Sequence, residues 1–140
     1  MSNIRIEELS IGDWVRDSNG IIAKVRGIEN WDDGYILNVQ TVSGSVCALS
    51  ATGALPIPLT PEILEKNGFV QESEVGYERF EWRENGSVAI TLNRDSFSKS
   101  ETFVLTTFKI GINGWLLRIE HVHELQHAMR LAGIEKEIEV

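Results

Sequence analysis

The chain has 140 residues, of which 42% are hydrophobic and 24% are charged, a composition typical of one globular domain or two small lobes and not of a disordered chain. Its 21 acidic residues outnumber its 13 basic ones and no basic run occurs, so we expect no binding to nucleic acid. No apolar run approaches the ~20 residues that span a bilayer, and the first residues lack the pattern of a signal peptide, so we expect a cytoplasmic protein without membrane contact.

Glycine-containing turns divide the first part of the chain into short strands. Asn19-Gly20 predicts a hairpin that pairs residues 13–17 with residues 21–28, because a type I′ turn needs φ > 0 at both central positions and Asn-Gly tolerates this. A second hairpin pairs residues 35–41 with residues 45–49. Since the strands are connected locally, we expect antiparallel pairing.

These hairpins predict a small SH3-like β-barrel in residues 1–59, the first of two lobes. Cys47 is the only cysteine of the chain, which precludes an intrachain disulfide and is typical of a reducing compartment. Because it lies in an apolar strand, we expect Cys47 to be a small buried hydrophobic residue.

Residues 60–140 form the predicted second lobe, which begins with a helix. Thr60 is a suitable N-cap, and Pro61 is a suitable first helical residue. Glu62 falls in the first turn, where the helix dipole favours a negative charge. Asn67-Gly68 is expected to end the helix.

Two further hairpins and a final helix complete this lobe. The hairpins turn at Asn85-Gly86 and Asn113-Gly114 and predict one antiparallel sheet. The second helix extends over about residues 121–132, packs on the sheet and ends at Gly133. The charged tail in residues 135–139 is expected to be exposed. The predicted fold class is therefore α+β.

One string in the second helix has the form of a catalytic motif. His123-Glu124-Leu125-Gln126-His127 matches H-E-x-x-H, in which two histidines on one helix face bind Zn²⁺ and the glutamate acts as general base. On a helical wheel, His123 and His127 lie opposite the apolar face that contains Leu125. We therefore expect both histidines to face solvent.

A third zinc ligand is hard to find near the motif. No histidine follows His127, and His121 lies two residues before His123 and is expected to point elsewhere. A solvated helix face is therefore the favoured interpretation, and we predict no cofactor. Adventitious metal binding and a zinc-dependent hydrolase built on His123, Glu124 and His127 are the alternatives.

The first lobe contains an aromatic and acidic loop, Trp31-Asp32-Asp33-Gly34-Tyr35. Trp31 and Tyr35 are the candidate residues for binding a protein partner, because aromatic side chains on a small barrel can line a groove for peptides. The alternative is that Trp14 and Tyr35 fill the barrel core. Trp31 lies between Asn30 and Asp32 and is expected to be exposed.

The segment Phe103-Val104-Leu105-Thr106-Thr107-Phe108 has apolar side chains on both faces. Phe103 and Leu105 share one face, and Val104 and Phe108 share the other. If this strand or residues 77–83 lie at a sheet edge, a second copy could pair there. Cover of the second face by the first lobe and a symmetric homodimer are the two alternatives.

Three segments carry a family resemblance. They are residues 6–15 with Asn19-Gly20, then residues 55–69, which contain Pro-Ile-Pro-Leu-Thr and end in Gly-Phe, and finally residues 121–126. Together they resemble a family of small uncharacterised proteins from gut-type anaerobic bacteria and their phages or mobile elements. The opening segment also resembles the SH3-like barrels of phage-encoded YopX-type proteins. The family has histidine at the position of His123 but usually not at that of His127, and the resemblance implies no activity.

The sequence thus favours a non-enzymatic binding or adaptor protein of phage or mobile-element type. Its motivation is an acidic composition, aromatic residues near a loop of a small barrel, and the lack of a convincing catalytic set. We expect the partner to be another protein or a second copy of the chain.

Overall fold

The computed structural model describes residues 4–72, 76–95, 102–107 and 116–140. Over these residues the chain is an α+β protein with two antiparallel sheets, which confirms the predicted fold class. The chain divides into two compact units, Met1–Ile57 and Pro58–Val140. No helix within the described residues is long and apolar enough to cross a membrane.

The first unit contains four strands joined by hairpins, with a short 3-10 turn before them and another after them. The turns are Ile6–Glu8 and Ala51–Gly53, and the strands are β1 (Trp14–Arg16), β2 (Ile22–Trp31), β3 (Gly34–Thr41) and β4 (Val46–Ser50). Their order in the sheet is β1-β2-β3-β4. The register shifts between Val25 and Gly27 of β2, and because such a bulge bends a strand, the sheet is curled into a half-barrel.

The first hairpin is confirmed, but the predicted type I′ turn is wrong. The Asp17 N–H donates to the Ile21 carbonyl and the Gly20 N–H donates to the Asp17 carbonyl, both at 3.0 Å. Gly20 has φ +82°, whereas Asn19 keeps a negative φ. This is the longer hairpin loop in which a type I turn is followed by one left-handed residue. The Asp17 carboxylate supports it by accepting from the N–H groups of Asn19 and Ile21 at 2.8 and 2.9 Å.

The core of the first unit lies on one face of the curled sheet. Its buried side chains are Ile4, Leu9, Val15, Ala23, Val25, Leu37, Val39, Ala51 and Ala54. Cys47 is not among them, and the prediction that it is buried is wrong, because Cys47 is exposed. The reason is its position, since β4 is an outer strand of the sheet and most of its residues are exposed.

The second unit contains a five-stranded sheet and two α-helices. The helices are α1 (Pro61–Lys66) and α2 (Val122–Leu131), and the strands are β5 (Val70–Gln71), β6 (Tyr77–Glu84), β7 (Ser87–Asp95), β8 (Phe103–Thr107) and β9 (Leu116–Ile119). The sheet order is β5-β6-β7-β8-β9, with antiparallel pairing throughout. The two predicted hairpin pairings are therefore confirmed.

Local turn and cap chemistry in this unit follows the sequence. The Thr60 hydroxyl accepts from the Ile63 N–H at 3.3 Å, so the predicted N-cap is confirmed. Asn67 is the C-cap and Gly68 has φ +88°. Asn85-Gly86 has φ values of +53° and +81°, as a type I′ turn requires. The turn predicted at Asn113-Gly114 lies outside the described residues.

The three glutamates of the C-terminal tail, Glu135, Glu137 and Glu139, are exposed as predicted, but the tail also carries buried side chains. Ile134 and Ile138 are buried, at 4% and 2% exposure. The Asn67 side-chain amide donates to the Glu139 carbonyl and its oxygen accepts from the Glu139 N–H, both at 2.7 Å. The prediction considered the charged residues of the tail and overlooked that the two isoleucines bring burial energy. We refer to the paired contact between Asn67 and Glu139 as the tail clasp.

The position of β8 changes the basis for the predicted homodimer. β8 lies between β7 and β9, so it is not at an edge. β6 is paired with β5 beside Phe80 and Glu81, and the Arg79 carbonyl accepts from the Glu72 N–H at 2.7 Å. Phe103 and Leu105 are fully buried, while Val104 is 38% exposed. Phe108 lies outside the described residues. A homodimer thus remains a prediction, but β8 does not offer the edge that motivated it.

Candidate functional site

The outer edge of the first sheet is formed by β4. The Thr41 N–H donates to the Ser45 carbonyl at 2.9 Å, so these residues form a hydrogen-bonded pair beside the turn. Because hydrogen-bonded and non-hydrogen-bonded pairs alternate in antiparallel strands, Cys47 and Leu49 direct their N–H and C=O groups towards β3. The intervening residues direct theirs away from the sheet. These outward residues of β4 are Val46, Ala48 and Ser50.

The β4 edge is exposed and carries no charge. Val46 is 70% exposed, and Cys47 and Ala48 are exposed as well. No residue in positions 34–61 is charged, although the whole chain has a net charge of −8. Proteins usually protect edge strands from unwanted pairing with charged side chains, proline or a bulge. Because β4 has none of these, its edge is suited to pairing with another strand.

An apolar pocket opens beside this edge. Its volume is about 70 Å³, which gives room for one aliphatic side chain. It is lined by Val15, Asp17, Ile21, Ala23, Val39, Thr41, Cys47, Ala48 and Leu49. Cys47 and Leu49 face it from β4, so a strand added to the edge would direct alternate side chains towards the pocket. The site therefore combines backbone groups for pairing with an apolar recess for one side chain.

Trp31 and Tyr35 do not form one aromatic groove. Trp31 pairs with Gly34 across the β2–β3 hairpin, and Tyr35 pairs with Asn30. Because neighbouring residues of a strand point to opposite faces, the two rings lie on opposite faces of the hairpin. Trp31 is 60% exposed, as predicted, and its indole N–H donates to the Glu29 carboxylate at 3.0 Å. Tyr35 is 40% exposed, so the alternative that it fills the core is wrong.

The histidines at the start of α2 are closer together than the sequence suggested. The ring centroids of His121 and His123 are 5.8 Å apart with nearly parallel planes, and those of His123 and His127 are 5.8 Å apart with nearly perpendicular planes. His123 is only 3% exposed. The predictions that His123 faces solvent and that His121 points elsewhere are therefore wrong.

The burial of His123 has a physical cause that a helical wheel omits. The wheel assumes a single docking face, but the imidazoles of His121 and His127 both lie beside the His123 ring, one stacked and one edge-on. The start of α2 is also flanked by an extended segment, since the Leu59 N–H donates to the Glu120 carbonyl at 2.9 Å. His127 is half-buried, so the solvated face predicted for the pair is lost.

Glu124 has a structural task at this helix start. Its Oε1 accepts from the N–H groups of His121 and Glu120 at 2.9 and 3.1 Å, and it lies 2.8 Å from Nδ1 of His121. This is the contact by which an acidic residue at the third helical position caps a helix. These contacts fix the carboxylate against the backbone at the helix start, whereas a general base must present an oxygen to a water molecule at the metal. Across the described residues, no group of three or more His, Cys, Asp or Glu side chains is arranged to hold a metal ion.

The β4 edge was missed at the level of sequence, although a signal for it was present. The uncharged stretch of residues 34–61 covers both β3 and β4. In an acidic protein, an exposed strand within such a stretch lacks the charged side chains that usually protect a sheet edge from pairing.

No protein-family model, no curated protein and no solved structure matches this chain.

Proposed function

We propose that the chain is a non-enzymatic binding module of adaptor type that engages a protein partner by strand addition at β4. In this mode a partner segment pairs with an exposed strand, backbone hydrogen bonds give affinity, and pockets for alternate side chains give specificity. The observation that carries the proposal is the exposed, uncharged β4 edge beside an apolar pocket. Trp31 and Tyr35, on opposite faces of their hairpin, are secondary candidates for contact with the same partner.

An SH3-like barrel is our proposal for the first unit, and the connection after β4 supports it. The 3-10 turn Ala51–Gly53 leads to Leu55, which bridges to Arg16 of β1 through N–H···O contacts of 3.0 and 2.8 Å. A segment that follows a 3-10 turn and pairs with the first strand is the connection expected for a barrel of this type. The proposed origin in phages or mobile elements of gut-type anaerobic bacteria rests on the resemblance described above, and the proposed cytoplasmic setting rests on the single cysteine and the composition of the chain.

For the second unit we propose that α2 packs on the five-stranded sheet. Leu125 is fully buried and Met129 is 1% exposed, and both lie on the apolar face of α2. On the sheet, Phe80 and Leu92 are paired neighbours and are also fully buried. Packing of these two surfaces against each other accounts for the burial of both.

A capture experiment with matched variants tests the adaptor function. The full chain is immobilised and exposed to a lysate of its native host, and each captured protein is identified, purified and rebound. Ala48→Pro removes an outward N–H without breaking a bond to β3, so it should abolish rebinding. Val42→Lys, at a residue that is 72% exposed in the β3–β4 turn, should retain it. If a partner rebinds equally to both variants but not to Trp31→Ala, β4 is not the binding site and the tip of the β2–β3 hairpin is.

The second candidate function is a zinc-dependent hydrolase that uses His123, Glu124 and His127. The proximity of the His123 and His127 rings favours it, with centroids 5.8 Å apart. The capping contacts of Glu124 argue against it. Zinc content of protein purified without added metal decides between them. One tightly bound equivalent that is lost in His127→Ala, but not in the exposed control Arg130→Ala, would establish the metal site.

A further inference from the structure

We propose that the β4 edge pairs with β4 of a second copy of this chain, antiparallel and about a twofold axis at Ala48. The two four-stranded sheets would then form one continuous sheet. This inference rests on the strand addition proposed above and names its occupant.

Charge distinguishes a second copy from other occupants. Each copy has a net charge of −8, so two copies repel one another, and the repulsion is weakest where they meet at a surface without charges. Residues 34–61 provide such a surface, because none of them is charged. A basic partner would be recognised best by acidic side chains beside the strand. β4 itself has none, and the one carboxylate that lines the pocket, Asp17, accepts from the N–H groups of Asn19 and Ile21 in its own loop. A neutral apolar edge is complementary to itself.

The register of β4 also suits pairing with itself. When Ala48 lies opposite the partner's Ala48, Val46 lies opposite the partner's Ser50. All three outward residues are then in hydrogen-bonded pairs, which gives about six backbone hydrogen bonds. The next register that keeps the same faces together is shifted by two residues. It leaves one outward residue of each copy unpaired and loses about two of these hydrogen bonds. The symmetric register is therefore the one that satisfies the most backbone groups.

Side chains in this register are compatible on both faces. Cys47 lies opposite the partner's Leu49 on the face that contains the pocket, so apolar groups meet there. On the other face, Val46 is 70% exposed in one copy and would be covered in part by the partner. The small side chain of Ala48 at the twofold axis places no steric barrier between the strands.

The dimer should be weak, because β4 has only five residues. Stable interfaces bury about 1,200–2,000 Å² in total, and a single short strand edge provides less. We therefore expect dissociation constants in the micromolar range, and measurement is needed at about 10 to 300 µM protein.

Sedimentation velocity over this range is the first test. The full chain should pass from its own mass of 15.7 kDa to twice that mass as concentration rises. Val42→Lys should behave in the same way, whereas Ala48→Pro should weaken association by at least about tenfold, because two backbone hydrogen bonds are lost at the axis. Circular dichroism of each variant verifies that it is folded.

Disulfide formation tests the register without relying on proline. In a background with Cys47→Ala, Ala48→Cys places one thiol of each copy at the twofold axis. The separation of about 5.5 Å between Cα atoms of a hydrogen-bonded pair is one that a disulfide can bridge. Mild oxidation should link Ala48→Cys into a covalent dimer, whereas Val46→Cys in the same background should react far more slowly, because each Val46 faces the partner's Ser50.

Each outcome bears on the proposal. A mass that stays at 15.7 kDa up to about 300 µM protein refutes the proposal that a second copy binds at β4. A dimer that Ala48→Pro leaves intact, or one in which Val46→Cys links as fast as Ala48→Cys, refutes this interface. The proposed function is refuted by a different result, in which a captured protein binds the Ala48→Pro variant as well as it binds the unmodified chain.

Discussion

Replacement of Asn67 by alanine should release the C-terminal tail. The Asn67 side chain makes three hydrogen bonds, to the carbonyls of Ile63 and Glu139 and from the N–H of Glu139, each at 2.7 Å. Asn67 is 2% exposed, so its amide and the backbone groups that it bonds can form hydrogen bonds to water only if the tail detaches. At about 1 kcal/mol for each bond, Asn67→Ala should lower the free energy of unfolding by about 3 kcal/mol. Exposure of Ile138 adds about 2 kcal/mol if the tail detaches.

Urea denaturation and amide hydrogen exchange measure the two parts of this prediction. Asn67→Ala should shift the urea midpoint, and the Glu139 amide should exchange faster than in the unmodified chain. Lys66→Ala is the control, because its exposed amino group donates to the Val140 carbonyl at 3.0 Å and should contribute less than about 0.5 kcal/mol. A midpoint shift no greater than that of Lys66→Ala, with unchanged exchange at Glu139, would refute the role of the clasp.

Three further substitutions or reactions test the fold more widely. Leu125→Ala should lower the free energy of unfolding by about 2–5 kcal/mol, because Leu125 is fully buried in α2. In thermal melting the control Leu131→Ala, whose side chain is 67% exposed, should show little change, and equal effects of the two variants would mean that α2 is docked differently. Gly86→Ala should lower the free energy of unfolding by about 1–2 kcal/mol in chemical denaturation. Gly86 has φ +81° and nothing lies within 4 Å of an added Cβ, so the loss comes from backbone strain alone. An unchanged stability would exclude the type I′ turn. Cys47 should react with Ellman's reagent in the native protein at a rate close to that of a free thiol, because it is exposed; reaction only after denaturation would place it in the core.

Features that depend on a few neighbouring residues could be predicted from the sequence. The cap at Thr60, the end of α1 at Asn67 and the turn at Asn85-Gly86 depend on local backbone conformation, and each was found as expected. The turn type at Asn19-Gly20 was wrong although the hairpin was right. There the Asp17 side chain binds two N–H groups of the loop and favours a longer turn than the dipeptide alone indicates.

Features that depend on distant segments could not be predicted in this way. The exposure of Cys47 follows from the place of β4 at the sheet edge, which the apolar pattern of that strand does not reveal. The burial of His123 accompanies ring contacts with His121 and His127, and His121 itself bridges to Pro58, which lies far away in the chain. The packed tail follows from its clasp on Asn67. For the candidate site, the sequence shows that β4 is uncharged, but it does not show that β4 lies at the edge of the sheet.

The tail clasp has a consequence for biosynthesis. Its two residues are 72 positions apart, and at about 5–20 residues per second a ribosome needs roughly 4 to 14 s to travel from one to the other. The first unit is contiguous in the chain and complete by Ile57, so it can fold during this interval. The second unit must wait for Glu139 before it can close. A nascent chain therefore presents a finished β4 edge before its own second unit is folded, and neighbouring ribosomes on one message would bring such edges together early.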